Sequence, residues 1–171
     1  QDISDWKLTF VDTGLNANIG QRLQAVRRHI GDDEVFMANY SDGLTDLHLP
    51  TYLDYFYDQG KVASFLCVQP SQTFHIVSMQ PDGQVNSIQP VEDIDLWING
   101  GYFIFRREIF DYMCDGEELV NEPFHRLIAK NELVAYRNPG FWACMDTFKE
   151  KRMFDDLMAS GNPPWAVWQQ P

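Results

Sequence analysis

The chain has 171 residues, of which 44% are hydrophobic and 14% aromatic. This suits one folded domain and excludes disordered, collagen-like and mucin-like classes. A formal net charge of −12 argues against nucleic acid and membrane surfaces as partners, because both require a basic face. Three widely spaced cysteines, Cys67, Cys114 and Cys144, favour a reducing compartment over a disulfide framework or a zinc site. The longest apolar run is too short to span a bilayer, and we expect no secretory signal.

The first half of the sequence predicts alternating strands and helices. Apolar runs that end at turn residues indicate strands, and apolar residues at helical spacing indicate helices. Two turns follow predicted strands, at Asp12-Thr13-Gly14 and at Ser41-Asp42-Gly43. The expected elements are a strand at Leu8–Val11, a helix at 19–30, a buried strand at Val35–Tyr40, a helix from Leu49 to Gly60 and a buried strand at Val62–Val68.

The second half predicts a hairpin around Pro81-Asp82-Gly83 and a strand that carries Gly100-Gly101 in its middle. Thr147 and Glu150 have the spacing of a capping box at the start of the last helix. The expected elements are strands at 74–79, 85–88 and 96–105, a helix beginning near Pro123, a strand at 133–136, a helix after Thr147, and a tail from Asn162 that packs back on the body.

This alternation predicts an α/β fold with a mixed, mostly parallel sheet flanked by helices. The sequence shows neither an internal repeat nor a low-complexity linker. We therefore expect residues 1–171 to form a single domain.

Two aspartates are candidate metal ligands. Asp42 follows a predicted strand, and ligands of open α/β sheets bind beyond the carboxyl ends of strands. A carboxylate there suits Mg²⁺, although Asp-Gly is also simply a turn former. Asp146 stands at the start of the last helix, where it is either a second ligand or a carboxylate favoured by the helix dipole.

Two further segments are candidates for contact with a ligand. Asn99, Gly100 and Gly101 interrupt an apolar strand, which indicates either room for a ligand or a β-bulge. Glu122 precedes Pro123 at a helix start and is either a sugar-hydroxyl acceptor or a first-turn acid. The histidines show no ligand spacing, and neither a Ser/His/Asp elbow nor a Walker loop is present.

Six segments, in order and over nearly the whole chain, resemble blocks of the glucose-1-phosphate cytidylyltransferase family. WINGG and GFWACMDT are the more specific of them, resembling W-I-N-G-G and G-F-W-x-x-M-D-T. The segments are VDTGLNANIGQRL, NYSDGLTDL, WINGGYFIF, ELVNEPFHRLI, GFWACMDTFKEKRMFDDL and GNPPWAVW.

The resemblance implies a nucleotide-diphospho-sugar transferase fold and the synthesis of CDP-glucose from CTP and glucose 1-phosphate, with Mg²⁺, in the cytoplasm. Pyrophosphate would be released. It implies no nucleic acid or membrane partner and leaves homo-oligomer formation open. The residues that match family positions are Asp42 and Asp146 for the metal, Asn99, Gly100, Gly101 and Glu122 for the sugar phosphate, and Thr13 and Gly14 for the nucleotide.

Three departures from the family pattern stand out. The glycine-rich G-G-x-G-T-R-L loop and the P-K-P segment do not occur in these 171 residues, so we expect this chain alone to be inactive. Gln89 takes the place of the lysine in the family's E-K-P and brings no positive charge. Ser41 and Gln21 replace family glycines, so another sugar phosphate or nucleotide is also consistent with the sequence.

Two alternative functions are also consistent with the sequence. The missing loop favours a non-catalytic domain that binds a sugar nucleotide or assembles with a partner. A glycosyltransferase is the weaker alternative and is consistent because such enzymes also bind a nucleotide sugar through a metal held by an Asp at the end of a strand. The matching residues favour the nucleotidyltransferase, which we take as the expected function of the complete protein.

Overall fold

The computed structural model describes residues 5–70 and 74–169. The last two residues of the predicted tail, 170 and 171, lie outside the described residues. The chain forms two compact units, one made from 1–36, 61–63 and 105–133 and the other from 37–60, 64–104 and 134–171. Each unit uses separate stretches of the chain, so no linker in the sequence marks a boundary between them.

Four α-helices and eight strands make up the regular structure of the described residues. The helices are α1 (Ile19–Val26), α2 (Leu49–Gln59), α3 (Glu122–Ala129) and α4 (Phe148–Ala159). The strands are β1 (Val35–Asn39), β2 (Gly43–Thr45), β3 (Ala63–Val68), β4 (His75–Met79), β5 (Val85–Pro90), β6 (Ile98–Arg106), β7 (Leu133–Asn138) and β8 (Trp142–Cys144). Short 3-10 helices lie at 27–29, 91–93, 107–112 and 167–169.

The largest sheet has the strand order β1-β6-β3-β7. Two small antiparallel sheets pair β2 with β8 and β4 with β5. Strand order and chain order differ in the large sheet, as in folds whose strands are joined by crossover helices. The expected α/β class with a mixed sheet flanked by helices is confirmed.

The first unit is built around α1, α3 and the 3-10 helix at 107–112. Asn18 starts α1 with a capping box, its side chain accepting from the N–H of Gln21, whose side chain in turn accepts from the N–H of Asn18. Pro123 lies at the start of α3, where a missing N–H costs nothing. The buried apolar side chains of this unit include Leu23, Phe105, Ile109, Phe110, Met113, Leu119, Phe124 and Leu127.

The second unit contains α2, α4 and most of the strands. Gly60 ends α2 in the left-handed region, and Thr147 with Glu150 forms the predicted capping box of α4. The tail packs back as predicted, with the Trp165 ring against Phe141 and Phe154. The buried apolar side chains of this unit include Tyr52, Phe56, Leu66, Val68, Phe103, Ile104, Ala143, Phe154 and Ala166.

Two predicted elements differ from the structure. Leu8–Val11 is wrong as a strand: it has no regular secondary structure, with Leu8 70% and Phe10 92% exposed, because no described segment pairs with its backbone. The strand at β1 is present but only partly buried, since it lies at the edge of its sheet. Within 5–70 and 74–169, no helix combines the length and apolarity that a bilayer crossing requires.

Candidate functional site

The structure brings Asp42 and Asp146 to the same end of one small sheet. Gly43 on β2 is opposite Cys144 on β8, so Asp42 directly precedes one strand and Asp146 follows two residues after its partner. The N–H of Met145 donates to the carbonyl of Asp42 at 2.8 Å. Both aspartates are exposed. Two residues 104 positions apart are therefore neighbours through the pairing of β2 with β8.

Asp146 is held by the start of α4. Its N–H and that of Thr147 both donate to Glu150 Oε2 at 2.8 Å, and its carboxylate accepts from the Cys144 thiol at 3.2 Å. Burial raises the pKa of Cys144 to about 11, and the hydrogen bond and negative charge of Asp146 add to this effect. The thiol is therefore a neutral donor near neutral pH, which keeps Asp146 oriented.

The donor set fits a hard cation that is completed by substrate oxygens. Asp42 and Asp146 offer exposed carboxylates, and no described residue donates a hydrogen bond to the Asp42 carboxylate. The described part of the chain holds no group of three or more His, Cys, Asp or Glu side chains placed for a metal. Two carboxylates alone suit Mg²⁺, which usually takes one or two from the protein and the remainder from phosphates and water.

Asn99, Gly100 and Gly101 belong to β6, where the Asn99 side chain closes an Asx turn. The Gly101 N–H donates to Asn99 Oδ1 at 2.9 Å. Gly101 has φ +74°, and a Cβ there would lie 2.5 Å from the Tyr40 ring, so only glycine fits. Packing against the protein's own side chains thus explains this glycine without a ligand. Asn99 Nδ2 has no acceptor among the described residues and remains a free donor.

Two side chains join this turn to the aspartate pair. Trp142 on β8 donates from its indole N–H to the carbonyl of Gly100 at 2.8 Å. Tyr102 on β6 donates from its hydroxyl to the carbonyl of Gly43 at 2.7 Å. These two hydrogen bonds therefore link the strand end that carries Asp42 to the turn that carries Asn99, and both belong to one site. Neither brace was predicted from the sequence, because a long-range side-chain contact leaves no local spacing signal.

Asp46 has a structural role. Its Oδ1 accepts from Asn138 Nδ2 at 3.0 Å. A Cβ at Gly140 would lie 2.4 Å from the carboxylate of Asp46, so a larger residue there would displace that carboxylate. Asp46 therefore shapes the loop that leads into β8 and is not grouped with the metal candidates.

Thr13 and Gly14 lie in a turn of the first unit. The Gly14 N–H donates to Asp12 Oδ1 at 2.9 Å, and Thr13 Oγ1 accepts from the Arg22 guanidinium at 2.9 Å. Gly14 has φ +83°. This turn is stabilised from within and from α1, and its role with a nucleotide stays a prediction.

Glu122 is the first residue of α3 and is exposed. One turn further on, Arg126 makes two hydrogen bonds to the carboxylate of Glu117. These bonds hold the pKa of Glu117 down, from 4.5 to about 2, and the Cys114 N–H adds to the effect. Arg126 is therefore committed to Glu117, and the Glu122 carboxylate is left exposed to solvent.

Gln89, which stands where the family has a lysine, lies on β5 opposite Ile76. Its side chain is exposed, and no described residue bonds to it. The hairpin therefore presents an uncharged amide to solvent at this position.

Curated relatives of the chain carry one function in their names. A glucose-1-phosphate cytidylyltransferase of Salmonella typhi is 34% identical over 169 residues, which is 98% of this chain and 65% of the relative. A protein assigned the same activity in Bacillus subtilis is 31% identical over 165 residues, covering 95% of this chain and 64% of the relative. The chain thus spans slightly less than two thirds of the length of these relatives. No protein-family model matches it.

Solved structures show the same fold. A protein from Bacillus anthracis assigned as a glucose-1-phosphate thymidylyltransferase superposes with a TM-score of 0.58 at 14% identity, covering 82% of this chain and 61% of that one. HddC from Yersinia pseudotuberculosis gives 0.56 at 15%, covering 80% and 60%. Together with the sequence relatives, these matches confirm the resemblance: the chain is homologous to the C-terminal part of the glucose-1-phosphate cytidylyltransferases.

Proposed function

We propose that the complete protein transfers a cytidylyl group from CTP to a sugar 1-phosphate such as glucose 1-phosphate, giving a CDP-sugar and pyrophosphate. The observation that carries the proposal is the pairing of β2 with β8, which makes neighbours of Asp42 and Asp146. The similarity to glucose-1-phosphate cytidylyltransferases over 98% of the chain supports it.

Asp42 and Asp146 would hold Mg²⁺ in this proposal. A bound Mg²⁺ supplies positive charge that offsets the repulsion between the sugar phosphate and the α-phosphate of CTP. The protein contributes position: Asp146 is fixed by the cap of α4 and by Cys144, and Asp42 by the strand pairing. Nucleotidyl transfer between two phosphates depends more on such positioning than on acid–base groups.

The remaining family positions take the substrates. Asn99 offers its free amide N–H to a sugar hydroxyl, and Glu122 offers an acceptor for another. The backbone of Gly100 and Gly101 lies beside the Asn99 side chain, and the Gly101 N–H orients its amide. Thr13 and Gly14 would line the nucleotide. We place the protein in the cytoplasm, with its CDP-sugar consumed in polysaccharide biosynthesis, and we leave self-association open.

The test is pyrophosphate release by the complete protein with CTP, glucose 1-phosphate and Mg²⁺ in a coupled assay. We expect turnover that requires all three components. Repeating the assay with each other nucleoside triphosphate in place of CTP, and comparing the rates of pyrophosphate release, measures the nucleotide preference. The same assay on the 171-residue chain should show negligible release, because these residues contain no glycine-rich loop whose N–H groups cradle phosphate. Robust turnover by the 171-residue chain would contradict this part of the proposal.

A non-catalytic sugar-nucleotide-binding domain is the second candidate. The exchange of a family lysine for the uncharged Gln89 favours it. Binding of CDP-glucose by the complete protein without any pyrophosphate release, at any Mg²⁺ concentration, would establish this candidate and exclude the enzyme.

A further inference from the structure

A second group of charged side chains lines an open cleft of about 370 Å³ within the first unit. That volume lies in the range of small-molecule sites. The family resemblance gives a role to none of the residues that line it. They are Arg27, Glu34, Arg106, Arg107, Glu108 and Asp111.

Two of the three arginines, Arg27 and Arg107, are oriented by neutral groups. The Arg27 guanidinium lies over the Phe110 ring, 4.9 Å from its centre. Arg107 donates to the carbonyl of Gly31, and Arg106 Nε donates to the carbonyl of Lys61 at 3.1 Å. Carbonyls and a ring face fix a guanidinium without cancelling its charge. Arg27 and Arg107 have five N–H donors each, so donors of these two arginines remain beyond these contacts.

Two of these arginines form no ion pair with the carboxylates of the cleft. Neither Arg27 nor Arg107 makes an ion pair with a carboxylate in the described part of the chain. Glu34, Glu108 and Asp111 are exposed. The wall itself is fixed, since the Arg107 N–H donates to the carbonyl of Glu34 at 2.8 Å.

This combination selects for one class of ligand. Guanidinium groups bind phosphate with paired hydrogen bonds. Carboxylates repel phosphate but accept hydrogen bonds from hydroxyl groups. A free phosphate would satisfy only the arginines, and a neutral sugar only the acids. We propose that the cleft binds a phosphorylated polyhydroxy compound, with its phosphate at Arg27 and Arg107 and its hydroxyls at the carboxylates. This site shares no residue with the aspartate pair and does not depend on the proposed function.

Calorimetric titration of the 171-residue chain with glucose 6-phosphate, glucose and inorganic phosphate tests the proposal. We expect glucose 6-phosphate to bind most tightly. Arg27→Gln and Arg107→Gln should each weaken it by about tenfold or more, because each removes a charged hydrogen bond. Arg152→Gln, on the exposed side of α4 in the second unit, should leave it unchanged. Melting curves of each variant check that the fold is kept; Arg27→Gln is the safer variant, because Arg107 also holds the Gly31 carbonyl.

The variant Glu108→Gln tests the role of the carboxylates in the choice of ligand. It removes a negative charge and an acceptor, so inorganic phosphate should bind more tightly while the preference for glucose 6-phosphate over phosphate falls. No binding of glucose 6-phosphate, or binding that both arginine variants leave unchanged, would overturn the site. Equal affinity for phosphate and glucose 6-phosphate in the unmodified chain would overturn the ligand class.

Discussion

The carbonyl of Asp42 accepts the N–H of Met145 at 2.8 Å, and this backbone bond makes neighbours of the two candidate metal ligands. Asp42 precedes β2, and Asp146 comes directly after Met145. The bond is independent of either carboxylate, so the arrangement exists before any ligand arrives. A site built in this way is pre-organised by the fold and does not need a metal to assemble it.

The first prediction concerns the Tyr102 brace. Tyr102→Phe removes the hydroxyl that donates to the Gly43 carbonyl at 2.7 Å and keeps the ring. We expect the free energy of unfolding to fall by about 0.5–1.5 kcal/mol, measured by urea denaturation.

Tyr57→Phe is the matched control. Tyr57 is 54% exposed, and its hydroxyl bonds to no described residue. A loss of stability as large as that of Tyr102→Phe would show that the Gly43 bond is not the cause.

The second prediction concerns the turn in β6. Gly101→Ala combines a left-handed backbone with a Cβ 2.5 Å from the Tyr40 ring, whereas Gly60→Ala has a left-handed φ of +61° and open space around it. We expect Gly60→Ala to cost about 1–2 kcal/mol and Gly101→Ala clearly more. Equal losses in the free energy of unfolding would mean that Tyr40 moves aside without cost.

The elements that the sequence predicts well are those with a long regular pattern. The apolar stripe and glycine of α2, the hairpin around Pro81-Asp82-Gly83 and the capping box of α4 are all confirmed. β2 and β8 have three residues each, too few to show a period, so the sheet that joins Asp42 to Asp146 was not predicted. The apolar run at Leu8–Val11 is wrong as a strand because a strand also requires a partner, which a local pattern does not reveal.

The family resemblance identified the candidate site residues more clearly than their local sequence features did. Asp42 alone is an ordinary Asp-Gly turn, and Asp146 alone is an acid at a helix start. Their proximity requires the complete chain path between them. Cys144 is only two positions from Asp146, but its thiol hydrogen bond depends on side-chain orientations that the local sequence does not reveal.

The third prediction concerns acid stability. The folded pKa of Glu117 is lowered, from 4.5 to about 2, by Arg126. A lowered pKa gives stability that is present above pH 4.5 and is lost as the pH falls from there toward 2. Glu117→Gln should therefore reduce the melting temperature at pH 7 and make it less dependent on pH in this window.

Asp155→Asn is the control for that series. Asp155 pairs with Lys151 at 2.6 Å on the exposed face of α4, and exposed pairs contribute little. Its variant should follow the pH profile of the unmodified chain. A Glu117→Gln profile that also does so would disprove the role of the Arg126 pair.

The fourth prediction concerns Gln89. In the complete protein, Gln89→Lys should tighten glucose 1-phosphate binding by about 1.5–3 kcal/mol if the sugar phosphate lies beside β5, because a charged hydrogen bond is gained. Calorimetric titration measures it. Gln84→Lys, at the other end of the hairpin, is the control and should have no such effect. Unchanged affinity in Gln89→Lys would mean that the sugar phosphate binds elsewhere or that another cation serves it.

The most direct test of the account is the aspartate pair itself. Mg²⁺-dependent pyrophosphate release by the complete protein should fall by at least about 100-fold in Asp42→Asn and in Asp146→Asn, because each removes a charge that holds the metal. The free energy of unfolding should change by less than about 1 kcal/mol, since both carboxylates are exposed. Asp156→Asn, an exposed acid on α4, should keep full activity. Full turnover in either Asp42→Asn or Asp146→Asn would contradict the shared metal site.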